Sequence, residues 1–346
     1  MKGLKDIEVS GKKVLLRCDF NVPLNDQMMV LDDFKIKMTL PTIQYLLNKG
    51  SKIVIMTHLD PKNSKVVEKR FNVNAIAQKL SDFLDIAIKK SDSVIGPGAE
   101  NDCNNLKEGE VLMLENLRFY KEETDNDPAF AKKLSYLGEI FINDAFAVCH
   151  RNNASVTFLP KLLPHAAGLL LEKEISSLDK IIKNPERPLV SIIGGKKLET
   201  KSKLIDAISQ LSDFVIVSGL IKQDMMERNM KVANQEKIIA PEKDLGAPDI
   251  DEETTKKFST TIKKAKTVFW NGPFGKFEDE QYQKGTLEIA RAIIDSHAFS
   301  VAGGGDTVAF LAKNNMIDKF NHVSTGGGAM ISYLAGESMP GLEALK

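Results

Sequence analysis

The chain is poor in the features that mark disulfide-rich, membrane and nucleic-acid-binding proteins. Its three cysteines, Cys18, Cys103 and Cys149, are too few and too widely spaced for a disulfide framework or a zinc site. Basic and acidic residues number 47 each, so no excess of positive charge points to nucleic acid. No apolar run approaches the length that spans a membrane. These absences favour a globular protein that acts on small molecules.

The remaining composition is ordinary, with 42% hydrophobic and 27% charged residues. A chain of 346 residues is long enough to form two domains, each with its own core. The first residues lack the apolar core of a signal peptide. Because the few cysteines are also typical of reduced thiols, we expect a cytoplasmic location, with no membrane and no nucleic acid as partners.

Strand-like runs alternate with amphipathic helical segments along the whole chain, which is typical of α/β proteins. We predict two doubly wound parallel sheets, one in each of two Rossmann-like lobes. Helical periodicity is clearest in two segments, at Leu40, Ile43, Leu46 and Leu47 and at Leu204, Ala207, Ile208 and Leu211. The predicted strands are residues 13–18, 51–57, 111–114 and 139–143 in the first half, and 189–193, 214–218, 237–240, 267–270, 300–302 and 322–325 in the second.

A helical segment separates the two halves. It begins at Leu169, continues with helical periodicity to about Ile182 and is stopped by Asn184-Pro185. We therefore expect a first lobe over residues 1–168, a connecting helix over 169–183, a second lobe over 184–328 and a tail over 329–346.

Strands of the first half end in charged and amide side chains. Ligands of open α/β sheets bind beyond the carboxyl ends of the strands, and guanidinium groups bind carboxylates and phosphates. Converging arginines would therefore form a site for a small anion, although each alone is more often a surface ion pair. His150 could act as a base, but no nucleophile accompanies it, and a structural role is expected. The candidate residues are Arg17, Asp19, Asn21, His58, Arg118 and Arg151.

Strands of the second half end in glycine. Glycine lets backbone N–H groups crowd an anion, and the dipole of a following helix favours negative charge. Several such turns at neighbouring strand ends predict one polyphosphate site. The turns lie at Gly194-Gly195, at Gly272 to Gly275, at Gly303-Gly304-Gly305 and at Gly326-Gly327-Gly328. Neither a P-loop nor a G-x-G-x-x-G motif is present.

Polar side chains near these glycines leave two interpretations open. Lys197 and Lys201 are four residues apart, on one face of a helix predicted to start after Gly195, where they could neutralise a phosphoryl group or simply be solvated. Asp306 could hold Mg²⁺ or cap a helix. Glu278 could bind ribose hydroxyls or lie in an exposed loop.

Taken in order, these segments resemble phosphoglycerate kinases over nearly the whole chain. The matching segments are residues 17–24, 40–43, 58–59, 114–119, 142–146, 167–168, 171–174, 194–197, 270–273, 303–307 and 324–329. The resemblance implies a monomeric two-lobed enzyme that moves a phosphoryl group between 1,3-bisphosphoglycerate and MgADP, giving 3-phosphoglycerate and MgATP in glycolysis. It also implies that no general base is needed, because the attacking oxygen is already ionised, and that the tail over residues 329–346 returns to pack on the first lobe.

The resemblance assigns roles by motif position. It implies that Arg17, Asp19, Asn21, Lys35, His58, Arg118 and Arg151 bind the glycerate substrate. It further implies that Gly195, Lys197, Lys201, Asn271, Glu278, Gly303, Gly304, Gly305, Asp306 and Thr307 bind the nucleotide. Asp306 would meet Mg²⁺, and Lys197, Lys35, Gly304 and Gly327 would act in catalysis.

The chain departs from the family pattern in the anion lobe. Lys35 replaces an arginine, and the usual His-Leu-Gly-Arg-Pro reads His58-Leu59-Asp60-Pro61-Lys62, with Lys62 as a substitute cation. Asn153 replaces a histidine, and Thr200 replaces an acidic residue.

The second lobe also departs from that pattern, because it is short after Val217 to Ile221, where part of the adenine pocket is lost. Besides the kinase, two alternatives therefore stay open. One is a degenerate relative that binds a ligand or partner, and the other is a kinase of different small acids on the same scaffold.

Overall fold

The chain divides into two structural units that are not continuous segments. The computed structural model describes residues 1–60, 68–195, 201–230 and 232–346. Unit 1 comprises Met1–Lys173 together with Met339–Lys346, and unit 2 comprises Glu174–Ser338. No helix among the described residues is long and apolar enough to cross a membrane.

Unit 1 is built on a parallel sheet of six strands in the order β3-β4-β2-β1-β5-β6. The central strands are apolar and buried on both faces, as parallel sheets covered by helices require; Val14, Leu15 and Leu16 are fully buried. The strands are β1 Lys13–Arg17, β2 Lys52–Met56, β3 Ile88–Lys90, β4 Val111–Met113, β5 Ile140–Asn143 and β6 His165–Ala167.

Helices connect these strands. In α1, buried Ile36, Ile43 and Leu46 recur at helical spacing and face the core, as the sequence periodicity predicts. The helices are α1 Phe34–Asn48, α2 Asn74–Leu84, α3 Pro97–Asn104, α4 Lys121–Thr124, α5 Pro128–Ser135, α6 Ala154–Thr157, α7 Leu159–Leu162 and α8 Leu169–Ile182, the last of which continues into unit 2.

Unit 2 repeats this architecture with a parallel sheet in the order β12-β11-β10-β7-β8-β9. Its strands are β7 Leu189–Ile193, β8 Phe214–Val217, β9 Ile238–Ile239, β10 Thr267–Asn271, β11 Phe299–Gly303 and β12 His322–Ser324. Its helices are α9 Ser202–Leu211, α10 Gly219–Glu227, α11 Glu252–Ile262, α12 Lys284–Asp295, α13 Gly305–Lys313 and α14 Gly328–Leu334; α15 Pro340–Glu343 belongs to unit 1.

The predicted α/β fold with two parallel sheets is confirmed, and all ten predicted strands are present within two residues at each end. Two short edge strands, β3 and β6, escaped sequence analysis. Ile88–Lys90 is only three residues long and carries two lysines, so its composition resembles that of a charged loop. Because β3 lies at the edge of the sheet and is paired with β4 on one side, it needs little hydrophobicity.

The C-terminal residues pack tightly in unit 1. The N–H of Gly341 donates to the carbonyl of Cys149 at 2.9 Å. A Cβ at Gly341 would lie 2.5 Å from a methyl carbon of Val156, so only glycine fits there without a shift. Leu342 and Leu345 are buried beside this contact. All three cysteines of the chain are buried and free.

Candidate functional site

The anion site predicted in unit 1 lies where β1 and β2 end. These neighbouring strands place Arg17 beside Met56 in register, so the loops that follow them start at the same edge of the sheet. Residues 19–21 follow β1 and residues 58–60 follow β2. Sequence analysis identified this edge because carboxyl ends of parallel strands meet there.

Asp19 and Lys35 form the best-defined ion pair of this edge. The Nζ of Lys35 donates to Oδ2 of Asp19 at 2.7 Å and to the carbonyl of Asn21 at 3.3 Å. Burial raises the pKa of Asp19, but the Lys35 ammonium and the Asn21 N–H outweigh it, so the pKa lies well below its ordinary value. Asp19 is thus an anion that fixes the position of Lys35.

The side chain of Asn21 is used to hold the loop after β2. Its Oδ1 accepts from the N–H of Asp60 at 2.8 Å, and its Nδ2 donates to the carbonyl of Asp60 at 3.3 Å. These contacts make Asn21 a clamp between the two loops. Pro61 and Lys62 lie outside the described residues.

His58 is buried at the centre of the cluster. Its Nδ1 lies 3.3 Å from Nη2 of Arg17 and 3.7 Å from Oδ1 of Asp19. Burial lowers the pKa of His58 well below its usual range, and Arg17 adds to that shift although Asp19 opposes it. The imidazole is therefore neutral at pH 7 and can form hydrogen bonds without adding charge.

Arg17 lies behind the site and is fully buried. Its Nε donates to Oγ of Ser155 at 3.0 Å, its Nη1 donates to the carbonyl of Cys18, and its Nη2 is 3.9 Å from Oε1 of Glu123. Burial raises the pKa of Glu123 although Arg17 opposes the shift. Since these donors point to protein atoms, the contacts of Arg17 suit positioning of its neighbours, and direct substrate contact by Arg17 stays a prediction.

Arg118 and Arg151 add further positive charge to this cluster. The side chain of Arg118 is 9% exposed, and its buried Nε has no hydrogen-bond partner among the described residues. Burial, followed by the charges of Arg151 and Arg17, lowers the pKa of Arg118. Arg151 is half-buried, and its Nε donates to Nε2 of His150 at 3.3 Å.

Asn153 stands where the resemblance leads us to expect a histidine. It is buried, and its Nδ2 donates to the carbonyl of Glu123 at 3.3 Å. The same segment supplies Ser155, whose N–H and hydroxyl both donate to the carboxylate of Glu123. Asn153 therefore helps to hold the framework behind the arginines.

In unit 2, the first two glycine turns are locked against each other. A Cβ at Gly194 would lie 2.2 Å from the carbonyl oxygens of Gly272 and Pro273. The N–H of Gly195 donates to the carbonyl of Pro273 at 2.8 Å, and Gly195 has φ of +95°. This close approach, which only glycine permits, brings the ends of β7 and β10 together.

Lys201 lies beside this pair of turns. Its Nζ donates to the carbonyl of Gly194 and, at 3.4 Å, to the carbonyl of Asn271. Burial lowers the pKa of Lys201 to about 8, although the Asp306 carboxylate opposes that shift.

The expectation that Lys201 lies on a helical face is wrong. α9 begins at Ser202, and Lys201, with φ of −123°, only precedes it. Lys197 and Thr200 lie outside the described residues.

The third glycine turn joins β11 to α13. Asn271 Nδ2 donates to the carbonyl of Gly303 at 3.0 Å, and Thr307 Oγ1 accepts from the N–H of Gly272 at 2.7 Å. Gly304 has φ of +98° and precedes α13, whose first residues, Gly305 and Asp306, are exposed. The first N–H groups of a helix have no acceptor within the helix, so they are available to an anion.

A cavity of about 120 Å³ lies among these turns. Three predicted nucleotide residues line it: Gly195, Glu278 and Asp306. Sequence analysis missed its apolar lining, which comprises Leu220, Ala247, Pro248, Phe274 and Phe277. These residues come from α10 and from the loops before α11 and after β10, and only the Trp-Asn-Gly-Pro segment next to Phe274 gave a sequence signal.

The fourth glycine turn is held by a buried carboxylate. Glu174 Oε1 accepts from the N–H and the hydroxyl of Thr325, at 2.6 and 2.8 Å, and its Oε2 lies 2.8 Å from Nε2 of His322. Gly327, with φ of +50°, follows and precedes α14. These contacts orient the N-terminus of α14 within unit 2.

A family model described as phosphoglycerate kinase matches residues 4–239 and 221–337. The chain belongs to the phosphoglycerate kinase family. Curated phosphoglycerate kinases of Desulfosudis oleivorans and Borrelia hermsii are each 37% identical over 392 residues, covering 100% of this chain and 99% of the relative. As a phosphoglycerate kinase by family, the protein is a phosphotransferase that acts on a carboxyl group.

Solved phosphoglycerate kinase structures share the fold. The enzyme from Pyrococcus horikoshii is 32% identical, with a TM-score of 0.89 and coverage of 100% of this chain and 98% of that one. The enzyme from Coxiella burnetii is 28% identical, with a TM-score of 0.82 and coverage of 99% and 98%. The resemblance identified from the sequence motifs is thereby confirmed, and the degenerate alternative is not favoured.

The alignments with these relatives also allow the chain lengths to be compared. They extend over 392 positions, more than the 346 residues of this chain, while covering both partners almost completely. The curated phosphoglycerate kinases therefore carry segments that this chain lacks. The chain is thus shorter than these relatives, and the expectation that the second lobe carries the shortening stays a prediction.

Proposed function

We propose that the protein catalyses reversible phosphoryl transfer between 1,3-bisphosphoglycerate and MgADP, giving 3-phosphoglycerate and MgATP. One observation carries the proposal beyond family membership: the buried Nε of Arg118 has no partner among the described residues, although it lies in a cluster of guanidinium groups. A buried charged donor without a partner is costly. An acidic substrate at this position would satisfy the donor and offset the repulsion between the guanidinium groups.

In unit 1, we assign direct contact with the glycerate substrate to Arg118, Arg151 and Lys35. Arg118 and Arg151 would form charge-assisted hydrogen bonds with its phosphate or carboxylate groups. Lys35 is 29% exposed and is already oriented by Asp19, so its ammonium can add a further contact. His58, neutral at pH 7, would supply a hydrogen bond.

In unit 2, we assign the cavity lined by Gly195, Glu278 and Asp306 to the nucleotide. Backbone N–H groups at the start of α13 would face phosphate oxygens, and Lys201 would add positive charge. Glu278 is exposed at the mouth, where it can accept hydrogen bonds from ribose hydroxyls. Leu220 and Phe274 would give the adenine ring an apolar surface, which replaces part of the pocket that the shortened chain lacks.

The donor set near Asp306 suits Mg²⁺. No cluster of three or more metal-binding side chains occurs among the described residues. Mg²⁺ is usually held by one or two carboxylates together with substrate phosphates, so the exposed carboxylate of Asp306 meets the requirement. When bound with the nucleotide, Mg²⁺ would neutralise charge on the phosphate oxygens.

The transfer itself needs no general base. A carboxylate oxygen of 3-phosphoglycerate, or a terminal phosphate oxygen of ADP, is already ionised at pH 7. The chain therefore has to orient the two anions, exclude water and neutralise the charge of the transferred group. We assign the last task to Lys197, with help from the N–H groups that follow Gly304 and Gly327.

We further propose that the protein acts as a monomer in the cytoplasm, in glycolysis. The three cysteines support this location, because all are free and buried in the structure. A reducing compartment keeps such thiols free.

The experiment that tests the proposal measures ATP consumption that depends on 3-phosphoglycerate and Mg²⁺, coupled to a dehydrogenase that removes the acyl phosphate. We expect turnover in the wild type and a loss of about 100-fold or more in Lys197→Ala, as for removal of a group that stabilises transition-state charge. Lys263→Ala, an exposed lysine at the end of α11, is the matched control. Absence of turnover in the folded wild type would refute the proposal.

A further inference from the structure

Asp60 places a negative charge inside the anion site. Its position is one where the family resemblance leads us to expect glycine. Its side chain is 3% exposed, and Oδ2 lies 4.0 Å from Nη1 of Arg118. A carboxylate is an unusual neighbour for a guanidinium group that must bind an acidic substrate, because the two anions compete for the same donors.

The position of Asp60 is fixed by hydrogen bonds to its backbone. Asn21 binds both the N–H and the carbonyl of Asp60, at 2.8 and 3.3 Å. Asn21 in turn follows β1, and its carbonyl accepts from Lys35. The backbone of Asp60 is therefore fixed by the loop that follows β1, and its carboxylate lies beside Arg118.

The described residues form three ion pairs in this cluster, and among these three only Lys35 and Asp19 are in hydrogen-bond contact. Lys35 and Asp19 are in hydrogen-bond contact at 2.7 Å, and the pair of Arg17 and Glu123 is fully buried. Asp60 and Arg118 are 4.0 Å apart, which is too long for a hydrogen bond. The Asp60 charge thus balances Arg118 electrostatically while leaving the guanidinium donors available.

We propose that Asp60 acts as an internal counter-ion of Arg118 and weakens the binding of 3-phosphoglycerate. The inference rests on the proposed function. Without a ligand, Asp60 offsets the repulsion that Arg118 experiences from Arg151 and Arg17. With a ligand, it repels the incoming anion. The residue therefore raises the KM for the acidic substrate and leaves the transferring group unaffected.

The test is steady-state kinetics with 3-phosphoglycerate as the varied substrate at saturating MgATP. Asp60→Asn keeps the shape and removes the charge. We expect its KM for 3-phosphoglycerate to fall about tenfold, equivalent to about 1.4 kcal/mol, with kcat changed less than twofold. Asp92→Asn, which removes a fully exposed carboxylate paired with Lys90, is the matched control and should leave the KM unchanged.

A double-mutant cycle tests whether Asp60 acts through Arg118. In an Arg118→Ala background, Asp60→Asn should lower the KM by less than threefold, because the guanidinium group whose charge Asp60 offsets is absent. Asp60→Gly provides a second variant if the asparagine variant folds poorly, and it should show the same fall in KM.

The outcomes separate the inference from the proposed function. An unchanged or higher KM in both folded Asp60 variants, beside an active wild type, would overturn the inference alone. If neither variant folds, isothermal titration of the wild type and Arg118→Ala with 3-phosphoglycerate at rising salt decides. Equal salt dependence of the two would overturn the role of Arg118 on which the inference rests.

Discussion

Asp144 makes the stability of unit 1 depend on pH. It follows β5, it is fully buried, and its Oδ1 accepts from the N–H of Leu171 in α8 at 3.1 Å. A Cβ at Gly168 would lie 2.2 Å from this oxygen, so the start of α8 is packed directly on the carboxyl group. Burial raises the pKa of Asp144 to about 7, and the charge of Glu172 adds to the shift although hydrogen bonds from Thr42 and Leu171 oppose it.

The direction of this pH effect follows from the pKa values of Asp144 in the folded and the unfolded state. An unfolded aspartate titrates near 4, so between about pH 4 and pH 7 the folded state binds more protons than the unfolded state. The free energy of unfolding contributed by Asp144 must therefore fall as pH rises through this window. Each pH unit inside this window changes the free energy of unfolding by about 1.4 kcal/mol, and the change ends near pH 7. The free energy of unfolding therefore falls by about 3 kcal/mol between pH 5 and pH 8.

Asp144→Asn removes the ionisation and keeps an oxygen for the N–H of Leu171. We expect the variant to be as stable as the wild type near pH 5 and more stable by about 3 kcal/mol at pH 8. Urea denaturation followed by circular dichroism at several pH values measures the difference. His58 has a lowered pKa, so its own contribution to the free energy of unfolding rises with pH below the ordinary pKa of histidine. Because His58 is present in both proteins, this contribution cancels in their difference.

A constant difference between wild type and Asp144→Asn from pH 5 to pH 8 would refute this reasoning. So would a variant that loses stability as pH rises. Either result would mean that the buried carboxyl is solvated or compensated in a way that the contacts of α8 do not provide.

Two further predictions concern catalysis. Because the pKa of Lys201 is about 8, kcat/KM for MgATP should decline above pH 8 in the wild type and stay flat to pH 9 in Lys201→Arg; identical pH profiles would contradict a role for the Lys201 charge. Lys35→Arg should raise kcat/KM for 3-phosphoglycerate by about tenfold, since one more charge-assisted hydrogen bond becomes available beside Asp19, whereas a loss would show that the site has adapted to lysine.

The sequence predicts the fold well where local patterns suffice. Leu189–Ile193 is apolar, bounded and buried, and its predicted limits equal those of β7. The edge strand Ile88–Lys90 escaped because its place in the sheet is decided by pairing with Val111–Met113, which the segment's own residues do not encode. The start of α9 could not be predicted either. No capping residue marks it, so the sequence pattern placed Lys201 inside the helix.

The candidate site shows the same division. Polar residues after β1 and β2 could be predicted to meet, because parallel strands end at one edge. Which of these residues face outward could not be predicted. Arg17 is turned inward by Glu123 and Ser155, residues more than a hundred positions away in the chain. The lining of the nucleotide cavity by Leu220 and Phe274 likewise depends on tertiary packing.

The discontinuity of unit 1 has a consequence for biosynthesis. Met339–Lys346 belong to unit 1, so its fold cannot be completed until the whole of Glu174–Ser338 has been translated. At about 5–20 residues per second, this interval lasts about ten to thirty seconds. During that time the apolar surface that Leu342 and Leu345 later cover stays exposed on the nascent chain. Unit 2, although second in the sequence, can therefore finish folding first, while unit 1 stays incomplete until Met339–Lys346 have emerged.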